Sequence, residues 1–449
     1  MNSYDIWLDA TKKEWILIIL TFTAATLLNL VFFNRSLGIP ILILIVLLAI
    51  QSPFAMLVAL SASQSVADPV SSPLTIAQVL FFVMAAQMLV SRRASHNKLL
   101  KTMIKWTVPY LFFSKILLFL KWGEFQLVSD FDLAIVMAIM SCWYIIRLNE
   151  RYILGLFCIG LGVATVTTSY WFGRAGFETE GLEITKNLLL QGFAVGRSDG
   201  NFMGVCVALS ASIFAGLSVC RKLNIANLPV SDRVISIIGI IFLILSIPPM
   251  IDSQSRGGVF ILIIIFIATL FGVVKFQDAK SVGVILISLF GGAMLFTVFT
   301  TTADDIIESL YVMIQFSQEQ SDDSILLSRA DTWSGSWQEF MSNPLVGTLP
   351  ENRVSISGFG YDYASHNVWL DFARGTGILG IIWFTLFFFH PITLMYRRNN
   401  SADAFVWLLP FLALFLIFMN VSLGNLKCFY FLWALAMGSV NDPVIHVNK

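Results

Sequence analysis

The residues that could do chemistry are one histidine and a few arginines, each beside an apolar segment. Of the four histidines, His96 and His446 lie in polar segments and His390 lies inside an apolar run. His366 lies where a long polar segment gives way to the apolar run that starts at Val368. This position predicts either a functional histidine or a histidine that caps an interfacial helix.

Arg256 lies in Ser255-Arg256-Gly257-Gly258, between two strongly apolar segments. The glycines permit close backbone approach, and a helix that begins here would present free N–H groups. Such N–H groups beside a guanidinium suit an anion, phosphate in particular. The alternative is an arginine that reaches lipid head groups. Arg197, which also precedes an apolar segment, allows the same two interpretations.

The composition indicates the environment in which these residues act. The chain has 449 residues, of which 57% are hydrophobic and 12% charged. A soluble domain carries about 25% charged residues, so this chain has too few to cover water-facing surfaces. The 28 basic and 28 acidic residues balance, which gives no indication of a nucleic-acid partner. The composition therefore predicts an integral membrane protein.

Apolar segments long enough to approach or cross a bilayer recur along the whole chain. A span needs about 20 apolar residues. The candidates are Trp15–Phe33, Thr75–Val90, Trp106–Leu120, Leu133–Ile146, Tyr152–Tyr170, Phe202–Cys220, Val234–Met250, Gly258–Val274, Val282–Thr300, Val368–Leu394, Phe405–Asn420 and Leu426–Val440. Leu37–Ala62 is either one kinked span or two short ones, because Gln51-Ser52-Pro53 interrupts it.

Charge asymmetry predicts the orientation. The segment from Ser91 to Lys105 contains five Lys or Arg and no acid, so we expect it on the cytoplasmic side. The segment from Thr301 to His366 contains ten acids against Arg329 and Arg353, and alternation places it outside. Both termini are cytoplasmic if Leu37–Ala62 crosses twice.

These patterns together predict an all-α integral membrane protein with about 12–14 transmembrane helices. The predicted organisation is an N-terminal membrane region over 1–300 with a smaller outer loop at 171–200, a long outer loop over 301–366, and a C-terminal membrane region over 367–449. Within the long loop, Ile306–Ile314 and Trp333–Met341 show helical spacing and predict short helices.

There is no Walker loop, Rossmann glycine pattern, nucleophile elbow or H-E-x-x-H motif, so no cofactor or metal is expected.

Three groups of residues resemble the superfamily of O-antigen ligases and O-antigen polymerases. Ser255-Arg256-Gly257 is similar to its Ser-Arg-Gly motif, and Gly196-Arg197 with Gly200-Asn201 is a looser match to an earlier arginine-containing stretch. The long-loop signature is represented by Arg329, Trp333, Phe340, Pro344-Leu345-Val346-Gly347, His366-Asn367-Val368-Trp369-Leu370, Gly375, Gly377 and Gly380.

The resemblance implies a GT-C-type glycosyltransferase at the periplasmic face of the bacterial inner membrane. Its donor would be an oligosaccharide on undecaprenyl diphosphate, its acceptor a sugar hydroxyl, and the reaction would invert configuration without a metal. Arg256, with Arg197 and Arg329, would bind the diphosphate, where fixed cations supply about 10²–10³ in rate each. His366 would orient or deprotonate the acceptor hydroxyl. The remaining candidate substrate-binding residues are Ser255, Asn367 and Asn201.

The resemblance leaves the acceptor open. A polymerase transfers the growing chain to another lipid-linked repeat unit, whereas a ligase transfers it to lipid A–core. We favour the polymerase, because the sequence lacks a cluster of outer cations for a phosphate-rich core. A chain-length regulator would then be a further partner.

A lipid-linked oligosaccharide flippase is the non-enzyme alternative: Lys115 and the break at Pro53 favour it, whereas the absence of an internal repeat does not. A structural scaffold would leave Arg256 and His366 without a purpose.

Overall fold

The computed structural model is built almost entirely of helices. It describes residues 11–30, 35–63, 76–90, 98–123, 152–175, 200–219, 232–247, 256–276, 329–348, 354–355, 362–363, 365–398, 401–420 and 427–441, with isolated residues at 136, 139–141, 144 and 250. The described helices are α1 Thr11–Leu30, α2 Arg35–Gln51, α3 Pro53–Ala62, α4 Ile76–Val90, α5 Lys98–Trp122, α6 Tyr152–Ala175, α7 Gly200–Val219, α8 Asp232–Leu245, α9 Arg256–Phe276, α10 Arg329–Ser342, α11 Val368–Arg398, α12 Ser401–Asn420 and α13 Lys427–Asn441. Two short strands, β1 Val354–Ser355 and β2 Asp362–Tyr363, pair antiparallel between α10 and α11.

These helices confirm the predicted all-α membrane fold. Three described segments are long and apolar enough to cross a membrane, namely Lys13–Leu30, Tyr152–Ser169 and Val368–Leu394, and further apolar helices are shorter. The predicted segments Leu133–Ile146 and Val282–Thr300 lie largely or wholly outside the described residues, as does Ile306–Ile314.

Helix α9 shows why these helices suit lipid. Its large side chains at Phe260, Ile263, Ile267 and Phe271 are 52–64% exposed and follow one helical stripe. Ile265, on another face, is fully buried. A contiguous exposed apolar stripe is unfavourable in water, but it costs nothing against hydrocarbon chains.

The chain forms two compact units. The first consists of residues 1–93, 148–313 and 399–413, and the second of residues 94–147, 314–398 and 414–449. In the first unit, the break predicted in Leu37–Ala62 is confirmed: α2 ends at Gln51 and α3 begins at Pro53. The Ser52 hydroxyl accepts from the N–H groups of Phe54 and Ala55 and caps α3.

Helix α3 is fully buried and packs closely against α6. Its ten residues measure about 15 Å, which is about half the thickness of a bilayer core. Gly162 makes the close packing possible, because a Cβ there would collide with the Ser61 side chain and lie 2.8 Å from the Val58 carbonyl oxygen.

The second unit contains His366, and its central element, α11, is not one straight helix. Gly377 adopts a left-handed φ of 67° with ψ of −158° and interrupts the helix. Trp369 Nε1 donates to Thr385 Oγ1 at 3.2 Å, although sixteen residues of straight helix would separate the two by about 24 Å. The rings of Phe372 and Phe384 stack at 4.5 Å. The part before Gly377 therefore folds back along the part after it, so Val368–Leu394, predicted as one span, is a helical hairpin.

Candidate functional site

The segment Ser365-His366-Asn367 precedes α11 and is fixed by hydrogen bonds at both ends. The Asn367 side-chain oxygen accepts from the Leu370 N–H at 3.2 Å and caps the helix. The Ser365 hydroxyl lies 2.9 Å from the Asn367 carbonyl oxygen and makes a very short hydrogen bond to the Asp371 carboxylate. Ser365, Asn367 and Asp371 are all buried, so this segment has little freedom to move.

His366 itself is half-buried and has a φ of 53°. It is the one described residue other than glycine with a positive φ. A positive φ is uncommon for residues with a side chain and costs about 1–3 kcal/mol, so it persists only where neighbouring contacts impose it. Strain of this kind collects at functional sites, and here it lies on the histidine that the sequence predicts to be functional.

The loop between α10 and the strands packs onto the hairpin bend of α11. The interrupted helix leaves the Arg374 carbonyl and the Ile378 N–H without helical partners. Thr348 N–H donates to the Arg374 carbonyl at 2.6 Å, and Ile378 N–H donates to the Pro344 carbonyl at 2.8 Å. The loop thus satisfies the backbone at the bend, which an apolar environment requires.

Glycines allow this contact between two backbones. A Cβ on Gly347, where φ is 74°, would lie 2.5 Å from the Arg374 carbonyl oxygen. A Cβ on Gly377 would lie 2.5 Å from the Leu345 carbonyl carbon and oxygen. Gly347 and Gly377 are motif residues of the sequence, and the structure gives them a joint role: they bring the long loop and the helical hairpin together.

Helix α10 packs against α11 in this unit, which confirms the short helix predicted over Trp333–Met341. Its buried residues Thr332, Ser336 and Phe340 recur every four positions and form one face. Glu339 lies beside that face and reaches Arg374 of α11 with an oxygen-to-nitrogen distance of 3.8 Å.

Arg374 is a buried cation that the sequence motifs do not single out. Its side chain is 3% exposed, and it also lies 3.8 Å from Asp371, one helical turn earlier. Its Nε and Nη1 atoms are buried and have no hydrogen-bond partner among the described residues. An arginine within the apolar run Val368–Leu394 is itself an unexplained charge, and that was the signal in the sequence that could have found it.

A cluster of aromatic rings packs against both parts of the α11 hairpin. The Trp369 ring lies within 5.3–6.3 Å of four phenylalanine rings, namely Phe384, Phe388, Phe415 and Phe418. The Tyr110 ring stacks on Trp383 at 4.5 Å, and the Tyr110 hydroxyl lies 3.1 Å from Thr376 Oγ1, next to the bend. Each aromatic pair stabilises by about 0.5–1.5 kcal/mol beyond its buried area, so the hairpin is rigidly supported.

The other predicted site residues are placed only by their backbone. Arg329 is the first residue of α10, in the same unit as His366. Arg256 is the first residue of α9 and Asn201 the second residue of α7, both in the other unit. The helix predicted to start at the Ser-Arg-Gly motif therefore does start there. The side chains of these residues, and all of Arg197 and Ser255, lie outside the described residues.

In the described part of the chain, no three side chains of His, Cys, Asp or Glu come close enough together to hold a metal ion. The carboxylates of Asp371 and Glu339 each lie 3.8 Å from the Arg374 guanidinium. Of these, Glu339 retains 30% side-chain exposure, whereas Asp371 is occupied by Ser365 and Arg374.

This chain is an all-α integral membrane protein, because its helices are apolar and expose stripes of large apolar side chains. Residues 241–385 match the family model described as O-antigen ligase. This match confirms the resemblance to the O-antigen ligase and polymerase superfamily, and it includes Arg256, Arg329 and His366. Comparison with curated proteins gives no match.

Proposed function

We propose that the protein is a membrane glycosyltransferase that moves a glycan from undecaprenyl diphosphate to a sugar hydroxyl. The observation that carries this proposal is the family match over 241–385, which contains His366 in its strained conformation. A histidine fixed in this way is pre-organised, so less reorganisation is needed when the acceptor binds.

In the proposed reaction, the acceptor oxygen attacks the anomeric carbon of the donor as the bond to the diphosphate breaks. The acceptor proton passes to His366, and the bonding electron pair leaves with the diphosphate. The guanidinium groups of Arg256, Arg197 and Arg329 stabilise the charge that develops on the leaving group. Attack opposite the diphosphate inverts the configuration at the anomeric carbon.

The position of His366 along the hairpin supports a lipid-linked donor. Trp369 lies beside Thr385, eight residues and about 12 Å along the helix from the bend at Gly377. His366, three residues before Trp369, therefore lies near the side of an apolar helix rather than beyond its end. A diphosphate attached to a polyprenyl chain in the bilayer can approach such a position laterally.

Within this class we propose the polymerase, with the active site at the periplasmic face of the inner membrane and both termini in the cytoplasm. The acceptor is then a second undecaprenyl-diphosphate-linked unit, and a chain-length regulator would act on the product. The description of the matched family favours the second candidate, an O-antigen ligase with lipid A–core as its acceptor.

Deletion of the gene, followed by gels of lipopolysaccharide and of undecaprenyl-linked glycans, separates these candidates. Core with a single repeat unit and no ladder is expected for the polymerase. Bare core, with long chains retained on undecaprenyl diphosphate, would identify the ligase. Unchanged patterns on both gels would refute both activities on O-antigen.

Complementation with site variants then tests the mechanism. His366→Asn removes the base, while asparagine tolerates the left-handed conformation, so the fold is retained. We expect this variant to lose the ladder, and we expect His390→Ala to retain it, since His390 lies within the helical span. A full ladder from His366→Asn would contradict the role of His366 as the base.

A further inference from the structure

Arg374 lies eight residues after His366, on the short helix that His366 precedes, and the mechanism above does not use it. The guanidinium is 3% exposed and faces two carboxylates, Asp371 and Glu339, at 3.8 Å each. Both distances are longer than a hydrogen bond, and within the described part of the chain Nε and Nη1 have no hydrogen-bond partner. A buried ion pair with such geometry does not compensate the cost of desolvation well, so stability alone does not explain it.

The surrounding charges argue against direct binding of a phosphate by Arg374. Two carboxylates around one guanidinium leave no net positive charge to attract an anion. The same arrangement is well suited to fixing Asp371, because the charged partner holds the carboxylate where Ser365 can reach it. Asp371 Oδ1 is the atom that contacts both Arg374 Nη2 and the Ser365 hydroxyl.

A continuous path of polar contacts results. It runs from Glu339 on α10 through Arg374 and Asp371 to Ser365, whose hydroxyl also accepts from the Asn367 N–H at 3.3 Å. Ser365 and Asn367 are the two neighbours of His366 in the chain. The path therefore ends on both sides of the strained histidine.

The backbone of Arg374 makes a second connection. Its carbonyl oxygen accepts from the N–H of Thr348 at 2.6 Å and lies 3.1 Å from the Thr348 hydroxyl. One residue thus joins the long loop through its carbonyl, helix α10 through Glu339, and the His366 segment through Asp371.

We propose that Arg374 is a positioning residue that, through Asp371 and Ser365, holds His366 in its left-handed, half-buried conformation. The expected effect of Arg374 on the reaction rate rests on the proposed function. The expected effect of Arg374 on the conformation of His366 does not depend on that function. Loss of Arg374 releases the carboxylate and hence Ser365. A displacement of the reacting group by about 1 Å lowers the rate by up to about 100-fold without weakening substrate binding.

The test compares four variants of the full-length protein in detergent with the wild type. Arg374→Met removes the guanidinium at similar length, and Arg374→Lys retains one charge that reaches a single carboxylate. The double variant Arg374→Met with Asp371→Asn leaves no unpaired buried charge, so it provides a folded sample if the single variant is unstable. The control is Trp433→Phe, which removes a buried hydrogen bond of 2.7 Å to the Phe387 carbonyl, a contact that is not part of the path from Glu339 to Ser365.

Two measurements are made on each variant. The first is the rate at which diethyl pyrocarbonate modifies His366, followed by peptide mass spectrometry. The second is kcat and KM for transfer from an undecaprenyl-diphosphate-linked glycan. For Arg374→Met and the double variant, we expect modification at least about 5-fold faster and kcat about 10–100-fold lower, with KM within about twofold. We expect Arg374→Lys to lie between these variants and the wild type.

Three results would overturn the proposal. One is an unchanged modification rate in Arg374→Met and in the double variant. Another is a change of KM alone, which would make Arg374 a substrate-binding residue. The third is an equal loss in Trp433→Phe, which would show a general effect of stability. If the wild type transfers no glycan, the proposed function fails, while the modification rate still decides the role of Arg374.

Discussion

The helical hairpin depends on Gly377, and Gly377→Ala tests the bend of this hairpin with the addition of a single methyl group. Its φ of 67° with ψ of −158° lies in a region that is open almost only to glycine. The added methyl group would also lie 2.5 Å from the carbonyl carbon and oxygen of Leu345 and 2.8 Å from the Pro344 carbonyl oxygen. These are backbone atoms, so no side-chain rotation can relieve the overlap.

The magnitude follows from two costs. The backbone conformation alone costs about 1–3 kcal/mol for a residue with a side chain. Relief of the overlap requires the loop to move away from the bend, which breaks the hydrogen bonds Thr348 N–H to Arg374 carbonyl and Ile378 N–H to Pro344 carbonyl. Each buried group left unsatisfied costs about 1–3 kcal/mol. With one unsatisfied group for each broken hydrogen bond, we therefore expect a loss of about 3–9 kcal/mol in the free energy of unfolding.

The chain offers a matched control at the end of α5. Gly123 has a nearly identical φ of 69°, but no atom of the described residues lies within 4 Å of a Cβ built there. Gly123→Ala thus measures the cost of the left-handed conformation without overlap, about 1 kcal/mol or slightly more. The assay is reversible unfolding of the purified protein in mixed detergent micelles, with glycan transfer measured on the same samples.

Gly377→Ala should be at least about 2 kcal/mol less stable than Gly123→Ala and should lose transfer activity, because the bend positions the short helix that His366 precedes. Equal stability of the two variants would show that the loop does not press on the bend. Normal activity in Gly377→Ala would show that the hairpin does not position His366.

Three further variants test other parts of the fold. Asn367→Ala removes the acceptor for the Leu370 N–H and should lower the free energy of unfolding by about 1 kcal/mol, whereas Asn367→Asp keeps the cap; thermal unfolding compares the two. Ser52→Ala should cost a similar amount with no loss of transfer activity, and reduced activity in an otherwise folded sample would contradict the purely structural role of this cap. Gly162→Leu should prevent α3 from packing on α6, because its side chain would overlap Ser61, so immunoblots of membranes should show little protein; a wild-type level would refute this packing.

Much of the helical framework could be predicted from the sequence. The predicted segment Tyr152–Tyr170 corresponds to α6, and the break at Pro53 and the helix start at Arg256 appear where expected. These features depend on local properties: an apolar run has to satisfy its backbone as a helix in lipid, and proline cannot continue one. His366 and Asn367 could be selected from the sequence because they occupy the boundary between a polar and an apolar segment.

The fold-back of Val368–Leu394 could not be predicted in the same way. Its length and composition satisfy the requirements of a straight span, and a glycine within an apolar run is compatible with a helix. The left-handed conformation of Gly377 depends on the loop carbonyl of Pro344 and the backbone of Thr348, which lie about 30 residues away in the chain. Without those partners the broken helix would leave buried backbone groups unsatisfied, and the continuous helix would be favoured.

The order of residue types is enough to indicate a helical membrane protein and to select His366 as the candidate base, because hydrophobic length and charge asymmetry are local, additive properties. Tertiary contacts give His366 its strained conformation at the start of the hairpin, and they bring Asp371 and Glu339 to Arg374. Contacts between residues distant in the chain fix these features. Their free energies depend on distance and burial, which the order of residue types does not specify.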